Sequence, residues 1–294
     1  MRRRQDLFLL ALALASALGA QPAAATAPGR AGRIAYVSEP SFNGAFVESV
    51  LPAGGGSRRL SAKLPHGSAG PAFAPDGRRI AVSLLQADIR RIVILRAGAR
   101  HEIAHGRAPA WSPDGRWIAF LSGQKVGSGI FLIHPDGTGL HALGNRHLEL
   151  GGDPPAWSPD GRTLVYTRQS THGQVLWSIA ADGTHGHVLV TAHSPAQPSF
   201  APDGRHIAFI AFDRSGRMGI WVAAADGSGA HALHVAPGSK TLFHFPVYSP
   251  DGRSLAFVLQ GAWTHVAVIR ADGGGQRVVS PRTRFIAGVD WARA

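Results

Sequence analysis

Cysteine is absent from this chain of 294 residues. Without it there is no disulfide framework, no thiolate metal site and no lipid-modified N-terminal cysteine, so the stability of the fold has to come from packing. Acidic residues are also few, with 18 Asp and Glu against 30 Lys and Arg, and the formal net charge is +12. A basic balance of this size favours acidic partners such as nucleic acid, anionic lipids, cell-wall polymers or acidic proteins.

Long apolar runs are scarce as well, and the one near the N-terminus spans residues 7–18, after Arg2–Arg4 and before the small residues 20–27. This pattern is typical of a secretory signal peptide, and the run is shorter than the roughly 20 residues that a spanning helix needs. We therefore expect residues 1–27 to form a leader, cleaved at one of several alanines, and residues 28–294 to form one folded domain. The mature protein is expected to be periplasmic or secreted, with no transmembrane segment and no nucleic acid as partner.

Glycine is abundant, with 37 residues, and much of it belongs to a repeat. The segment FAPDGRRIAV at Phe73 returns as WSPDGRWIAF, WSPDGRTLVY, FAPDGRHIAF and YSPDGRSLAF. In each copy Asp-Gly provides the positive φ of a tight hairpin, and a second Asp-Gly about 22 residues later predicts four strands per repeat. The repeated aspartates are spaced 38 to 48 residues apart, as in propeller blades, and are expected to shape turns rather than to catalyse. They are Asp76, Asp114, Asp160, Asp203 and Asp251.

The two ends of the chain each contain half of a repeat. Gly32–Tyr36 matches the second half and Val289–Trp291 the first, so five whole copies and two halves make six blades. The prediction is an all-β, six-bladed β-propeller of four-stranded blades, with the ring closed by pairing Val289–Trp291 with strands that begin at Gly32. The aromatic residues that end the inner strands should pack between blades, each contributing about 2–3 kcal/mol. They are Phe73, Trp111, Trp157, Phe200, Tyr248 and Trp291.

The repeated motif aromatic-Ser-Pro-Asp-Gly-Arg-x-Ile-Ala-Phe, with its later Asp-Gly, resembles the TolB-like propeller repeat, a relative of the WD repeat. The resemblance covers Gly32 to Trp291 and concerns the propeller only, without the additional α/β domain that precedes it in the family's namesake. That namesake is a periplasmic component of the Tol envelope system and binds a peptidoglycan-associated lipoprotein. The resemblance therefore implies a binding role in the cell envelope. Similar propellers also precede peptidase domains or act as lyases, but this chain has no Gly-x-Ser-x-Gly elbow.

The loops that enter the inner strands should gather at one end of the central channel, where propellers usually bind ligands. Five of these loops contain a histidine, and basic residues that suit an anionic ligand lie nearby. Glu149 and Asp153 are the acidic residues expected there. The predicted ligand-binding residues are His66, His105, Arg107, His147, His193, Lys240, His244 and Arg284.

The sequence favours a monomeric, non-catalytic binding module for an acidic protein segment or an anionic cell-envelope polymer. No catalytic residue is assigned and no cofactor is predicted. The alternative is a metal- or histidine-dependent polysaccharide lyase or hydrolase, because neutral imidazoles at the mouth could bind a divalent metal or transfer protons. A structural spacer without a ligand is the third possibility.

Overall fold

A computed structural model describes residues 31–41, 44–122, 128–144, 150, 152–171, 173–191 and 193–293. The predicted leader, His147 and Glu149 lie outside these ranges. Regular secondary structure in the described ranges is all β-strand. None of the described residues belongs to a helix with the length and apolar character to span a membrane.

The strands form six antiparallel sheets of four, arranged as the blades of a propeller. Blade 1 contains β24 (Phe285–Arg293), β1 (Ala31–Ser41), β2 (Gly44–Val50) and β3 (Arg58–Arg59). Blades 2 and 3 contain β4 (Ala69–Phe73), β5 (Ile80–Gln86), β6 (Ile89–Arg96) and β7 (Ala99–His105), then β8 (Arg107–Trp111), β9 (Ile118–Ser122), β10 (Gly129–Ile133) and β11 (His141–Leu143). Blades 4 and 5 contain β12 (Ala156–Trp157), β13 (Thr163–Ser170), β14 (Gly173–Ala180) and β15 (His187–Val190), then β16 (Ala196–Phe200), β17 (His206–Phe212), β18 (Met218–Ala224) and β19 (His231–Val235). Blade 6 contains β20 (Leu242–Tyr248), β21 (Ser254–Gln260), β22 (Thr264–Arg270) and β23 (Arg277–Val278).

Blade 1 closes the ring from the two ends of the chain, which confirms the sequence prediction. β24 pairs antiparallel with β1, so that Trp291 lies opposite Ile34 and Val289 lies opposite Tyr36. The indole Nε1–H of Trp291 also donates to the carbonyl of Gly32 at 3.2 Å. Because each blade buries its faces against its neighbours, this pairing removes the two uncovered faces that an open array would have.

The repeated Pro-Asp-Gly turn links each inner strand to the next strand. In blade 4, Asp160 Oδ1 accepts hydrogen bonds from Ser158 Oγ at 2.6 Å and from the amide of Arg162 at 3.0 Å. Ser158 Oγ in turn accepts from the amide of Thr163 at 2.9 Å, and Gly161 has a φ of +70°. Asp114 and Asp251 repeat this arrangement. The aspartates of the repeat therefore hold turns together.

Two copies of the turn contain alanine in place of serine and use a different side chain. Asp76 Oδ2 accepts from Arg79 Nε at 2.8 Å, and Asp203 Oδ2 lies 3.3 Å from His206 Nδ1. Arg79 and His206 each occupy the third position after the aspartate. The lost hydroxyl is thus replaced by a basic group from the start of the following strand.

The core consists of side chains packed between successive blades. Among the aromatic residues that end the inner strands, those of blades 3, 4, 5, 6 and 1 are 4 to 5% exposed, as predicted, whereas Phe73 of blade 2 is only half-buried. Phe73 differs because it faces a cavity between blades 1 and 2. The buried five are Trp111, Trp157, Phe200, Tyr248 and Trp291.

Candidate binding site at the channel mouth

The six inner strands, β4, β8, β12, β16, β20 and β24, surround a central channel with a cavity of about 140 Å³. Five of them contribute a proline to its wall, and β24 has Val289 at the same position. The prolines are Pro71, Pro109, Pro155, Pro198 and Pro246. We call the end of the channel where the inner strands begin the mouth, and the end with the Pro-Asp-Gly turns the opposite end.

Bulges interrupt five inner strands just before this wall. The register shifts in β4, β8, β16, β20 and β24, and the residue preceding the proline or Val289 has a positive φ. Two of these residues are glycines, but Ala108, Gln197 and Phe245 have φ values of +54°, +57° and +52°. A left-handed conformation costs a non-glycine residue about 1–2 kcal/mol. Bulges and strained residues of this kind are common beside binding sites, where they redirect side chains.

Gln197 connects three blades at the mouth. Its Nε2 donates to Asp153 Oδ1 at 3.1 Å, and its Oε1 accepts from the amide of Phe245 at 2.7 Å. Its own amide donates to Thr167 Oγ1 at 3.2 Å. One side chain, oriented by the bulge in β16, therefore links blades 4, 5 and 6.

Asp153 and His244 both have pKa values moved toward their neutral forms. Burial raises the pKa of Asp153, while hydrogen bonds from Gln197 and Thr167 and the charges of His244 and Arg107 oppose the increase. Burial lowers the pKa of His244, whose Nε2 lies 3.1 Å from Gln260 Oε1; that hydrogen bond and the charge of Asp153 oppose the decrease. This side of the mouth thus offers hydrogen-bonding groups, with the charge of Arg107 nearby.

On the other side of the mouth, a groove of about 620 Å³ runs between blades 1 and 2 toward blade 6. Glu39 is buried beneath it and accepts from the amide of Gly67 at 2.7 Å, while its other oxygen lies 3.0 Å from His66 Nδ1. Arg90 donates to the carbonyl of Gly67 at 3.1 Å. We call this surface the mouth groove, and its main side chains are Glu39, His66, Arg90, Phe245, Arg284 and Phe285.

A carboxyl group, Asp290, faces the channel at a position where the other inner strands have small or aliphatic residues. Its two oxygens accept from the amides of Phe73 at 2.6 Å and Trp291 at 2.8 Å. The inner strands enclose it except where it faces the channel, and this burial raises the pKa of Asp290 to about 7 although both hydrogen bonds oppose the shift. The equivalent residues are Ala72, Ala110, Ala156, Ser199 and Val247.

The structure brings four of the predicted ligand-binding residues to the mouth, in two groups. His66 and Arg284 both line the mouth groove. Arg107 and His244 lie close enough to Asp153 to influence its pKa. These four remain the predicted residues that a ligand at the mouth would meet.

Three others have different surroundings, and His147 falls outside the described residues. His193 stacks on Trp221 of β18, the third strand of blade 5, with ring centroids 4.7 Å apart. His105 ends the outer strand β7, with its Nε2 3.7 Å from Glu102 Oε1. Lys240 is exposed in the loop before β20. The histidines of successive loops therefore do not converge on one point in the described part of the molecule.

Sequence analysis missed several residues of the site. Gln197, Phe245 and Glu39 owe their places to bulges and to contacts across blades, for which the sequence contains no local pattern. Asp290 could have been found, because alignment of the inner strands shows a single acid among small residues. The described ranges contain no cluster of three or more His, Asp or Glu side chains that could hold a metal ion.

Comparison with known proteins agrees with this architecture. A family model described as the TolB beta propeller domain matches residues 108–285. No curated protein matches. Among solved structures, TolB from Acinetobacter baumannii superposes with a TM-score of 0.77 at 18% identity, over 90% of this chain and 67% of that one.

Two more distant structures share the fold. A chain of the nidogen/laminin complex has a TM-score of 0.64 at 14% identity, over 88% of this chain and 98% of that one. An oligogalacturonate lyase in complex with manganese has a TM-score of 0.53 at 12% identity, over 86% of this chain and 74% of that one. Identities this low establish a common fold alone. The family match spans more than half of the sequence, and the repeated turns and the closed six-bladed ring agree with it. The chain therefore belongs to the TolB β-propeller domain family.

Proposed function

We propose that this chain is a non-catalytic binding module, periplasmic or secreted, whose channel mouth receives an acidic segment of another protein. The observation that carries the proposal is the mouth groove, where Arg90 and Arg284 stand beside the aromatic rings of Phe245 and Phe285. Arginine beside aromatic side chains is the composition that protein–protein interfaces favour.

Charge supports an acidic ligand. Glu39 is the one acid among the described residues that line the mouth groove, and it is buried and already engaged by Gly67 and His66, so it presents little negative charge to a ligand. Arg107 lies across the mouth, and the Asp153 beside it has a raised pKa. With a formal net charge of +12, the whole chain would also attract an acidic partner at long range.

Exposed aromatic surface supports a protein rather than a polysaccharide ligand. Phe285 is 45% exposed at the groove, and Trp263 is 46% exposed with the Arg282 guanidinium 5.0 Å from its ring centre. Large exposed apolar side chains beside arginines are typical of surfaces that partners cover. The similarity to a chain of the nidogen/laminin complex shows that a propeller of this shape occurs in a protein complex.

The mouth is also rigid, which favours binding. Gln197 ties blades 4, 5 and 6 together through three hydrogen bonds, and Phe245 is fixed by one of them. A preorganised surface loses less conformational entropy when a ligand binds. We propose no catalysis and no cofactor. The alternative predicted from the sequence is a metal- or histidine-dependent polysaccharide lyase or hydrolase. A metal centre of imidazoles needs several of them at one point, and the described mouth holds His66 and His244 in separate groups.

The experiment is fluorescence anisotropy with a labelled peptide that alternates glutamate with phenylalanine and leucine. We expect binding that weakens with salt and that falls about tenfold in Arg284→Ser or Phe285→Ser. A peptide with glutamine in place of glutamate should bind poorly to the wild type and to every variant. Arg162→Ser, which makes the same charge change in a turn at the opposite end, and Leu140→Ser, at an exposed apolar residue also at that end, are the matched controls.

Equal losses in the mouth and control variants would contradict the proposal. So would binding of polygalacturonate without binding of the peptide, which would favour the envelope polymer instead. Metal analysis of the dialysed protein tests the absence of a cofactor, since stoichiometric metal would favour the enzyme.

A further inference from the structure

A second cavity, of about 620 Å³, opens at the opposite end of the propeller, between blades 1 and 2. The start of β1, the end of β24 and the turn and strand ends of blade 2 form its walls. We call it the seam pocket, because it lies beside the pairing of the first and last strands, β1 and β24. Its apolar residues include Leu51, Leu60 and Phe73, and its basic residues include Arg33, Arg78 and Arg96.

Blade 1 has no Pro-Asp-Gly turn beside the seam pocket. In other blades the turn proline covers the turn glycine of the next blade, so that a Cβ added at Gly161 would lie 3.3 Å from Pro113. In blade 1 the inner strand is β24 and its neighbour is β1, the last and first strands, and no hairpin joins them. Gly77 of blade 2 therefore faces the main-chain oxygen of Arg293 instead of a proline.

The floor of the seam pocket is unusually apolar for a surface. Leu51 and Leu60 are 41% and 38% exposed, and both line it. Phe73 is half-buried here, although its five equivalents in the other blades are buried. A contiguous group of exposed large apolar side chains marks a surface that another molecule covers.

The rim of the seam pocket is basic. Arg33 is fixed by Ser49 Oγ at 2.8 Å and by the carbonyl of Gly56, and Arg100 donates to the carbonyl of Lys63 at 2.7 Å. The guanidinium groups of Arg78 and Arg96 are exposed and have no side-chain partner among the residues that the structure describes. No Asp or Glu occurs among the described residues lining the pocket.

A comparable cavity between blades 5 and 6 shows that this charge is particular to the seam. That cavity also lies at the opposite end and has about 560 Å³, but its lining contains Asp203 and Asp251 together with His206 and His231. Carboxylates at such a position repel an anion, whereas the arginines of the seam pocket attract one. The two cavities thus differ in electrostatics rather than in size.

We propose that the seam pocket binds a small anion with an elongated apolar body, of the chemical class of a long-chain carboxylate. Its volume lies in the range that encloses a ligand of this size. The alkyl chain would lie against Leu51, Leu60 and Phe73, and the carboxylate would accept hydrogen bonds from Arg78 and Arg96 at the rim. Arg33, already fixed by Ser49, would contribute positive charge without reorganising.

The test is isothermal titration calorimetry of the full chain with dodecanoate, below the concentration at which it forms micelles. We expect one molecule per chain. Dodecanol, which has the same chain without the charge, and dodecyltrimethylammonium, which has the opposite charge, should each bind at least about tenfold more weakly.

Variants locate the site. Arg78→Ser/Arg96→Ser and Leu60→Ser should each weaken dodecanoate binding by about tenfold, equivalent to about 1.4 kcal/mol. Arg162→Ser/Arg205→Ser changes the net charge of the chain by the same amount, at the equivalent turns of blades 4 and 5, and should leave the affinity unchanged. Unchanged melting temperatures of the variants exclude loss of the fold as the cause.

Three results would overturn the proposal. Dodecanoate binding no tighter than dodecanol binding would show that the arginines of the pocket play no role. Equal losses of affinity in the two double variants would show that only the overall charge of the chain matters. The third result is a dimer in light scattering that persists with dodecanoate but dissociates in the Leu60→Ser variant. That result would assign the seam pocket to a second copy of the chain.

Discussion

At the scale of single residues, the five Pro-Asp-Gly turns show how one backbone shape is held by two sets of side chains. Three turns use a serine hydroxyl, which donates to the aspartate and accepts a main-chain amide. The other two have alanine and recruit Arg79 or His206. Comparison of the repeats therefore shows how the turn is held when its serine is replaced by alanine.

The first prediction transfers one arrangement to the other. Ser158→Ala removes a donor to Asp160 and an acceptor for the Thr163 amide, and should lower the free energy of unfolding by about 1–2 kcal/mol. Adding Thr163→Arg, which imitates Arg79, should restore part of the loss. Urea denaturation measures both. No recovery in the double variant would mean that the Asp76–Arg79 pair is incidental.

The second prediction concerns Asp290 and pH. A carboxyl whose pKa rises from 3.8 in the unfolded chain to about 7 in the folded one binds more protons when folded, so the stability it supports falls as pH rises from about 4 to about 7. Asp290→Asn has no such titration, and it also loses one of the two acceptors for the Phe73 and Trp291 amides.

Denaturation at a series of pH values tests this sign. The unfolding free energy of the wild type minus that of Asp290→Asn should fall steadily from pH 4 to pH 7 and then stay constant. Other groups with shifted pKa values, such as His244, whose pKa is lowered, and Asp153, whose pKa is raised, cancel in the difference. A difference independent of pH would show that Asp290 is ionised throughout.

At the scale of elements, the bulged inner strands are the feature that builds the mouth. Each bulge places one residue in a left-handed conformation and turns the following proline toward the channel. Where that residue is Gln197 or Phe245, the bulge also supplies the contacts of the binding site. The strain and the site therefore come from the same backbone irregularity.

The third prediction separates this strain from ordinary packing. Ala108 has a φ of +54°, so glycine there should relieve about 1–2 kcal/mol and offset the loss of a buried methyl, leaving stability nearly unchanged. Ala110, two residues later in β8 without a positive φ, is the control, and Ala110→Gly should destabilise by about 1 kcal/mol. Equal losses in the two variants would show that Ala108 is not strained.

The elements that could be predicted from sequence are those that local chemistry determines. The Asp-Gly turns and the apolar strands between them appear as expected, because a glycine at positive φ and a continuous apolar run are local features of the sequence. The mouth was only partly predictable. His193 precedes its inner strand as His66 does, yet its ring stacks on Trp221, and that choice depends on a neighbouring strand far along the chain. Gln197 shows no pattern that predicts a link between three blades.

At the scale of the whole molecule, the ring depends on the pairing of β24 with β1. The half-repeats at Gly32–Tyr36 and Val289–Trp291 predicted this pairing because each is incomplete alone. The seam pocket could not be predicted in the same way. It lies beside the turn that blade 1 lacks, and its arginines come from two blades.

The fourth prediction uses the absence of cysteine. Ala31 and Arg293 are paired in β1 and β24, so Ala31→Cys/Arg293→Cys should form a single, unambiguous disulfide across the closure. By limiting the unfolded chain it should stabilise the oxidised protein by up to about 4 kcal/mol. Thr163→Cys/Ala180→Cys, across one hairpin of blade 4, should give a smaller gain. Melting temperatures with and without reductant provide the measurement, and no gain in the first variant would contradict the closure.

The prolines of the channel wall have a consequence for any polypeptide that enters from the mouth. An inner strand has a paired neighbour on one side only, and its free edge would ordinarily offer N–H groups for another strand to join. Pro71, Pro109, Pro155, Pro198 and Pro246 have no N–H to offer. In these five blades a threaded chain would find a donor missing in the middle of the inner strand, which disfavours its addition as a fifth strand and favours its release.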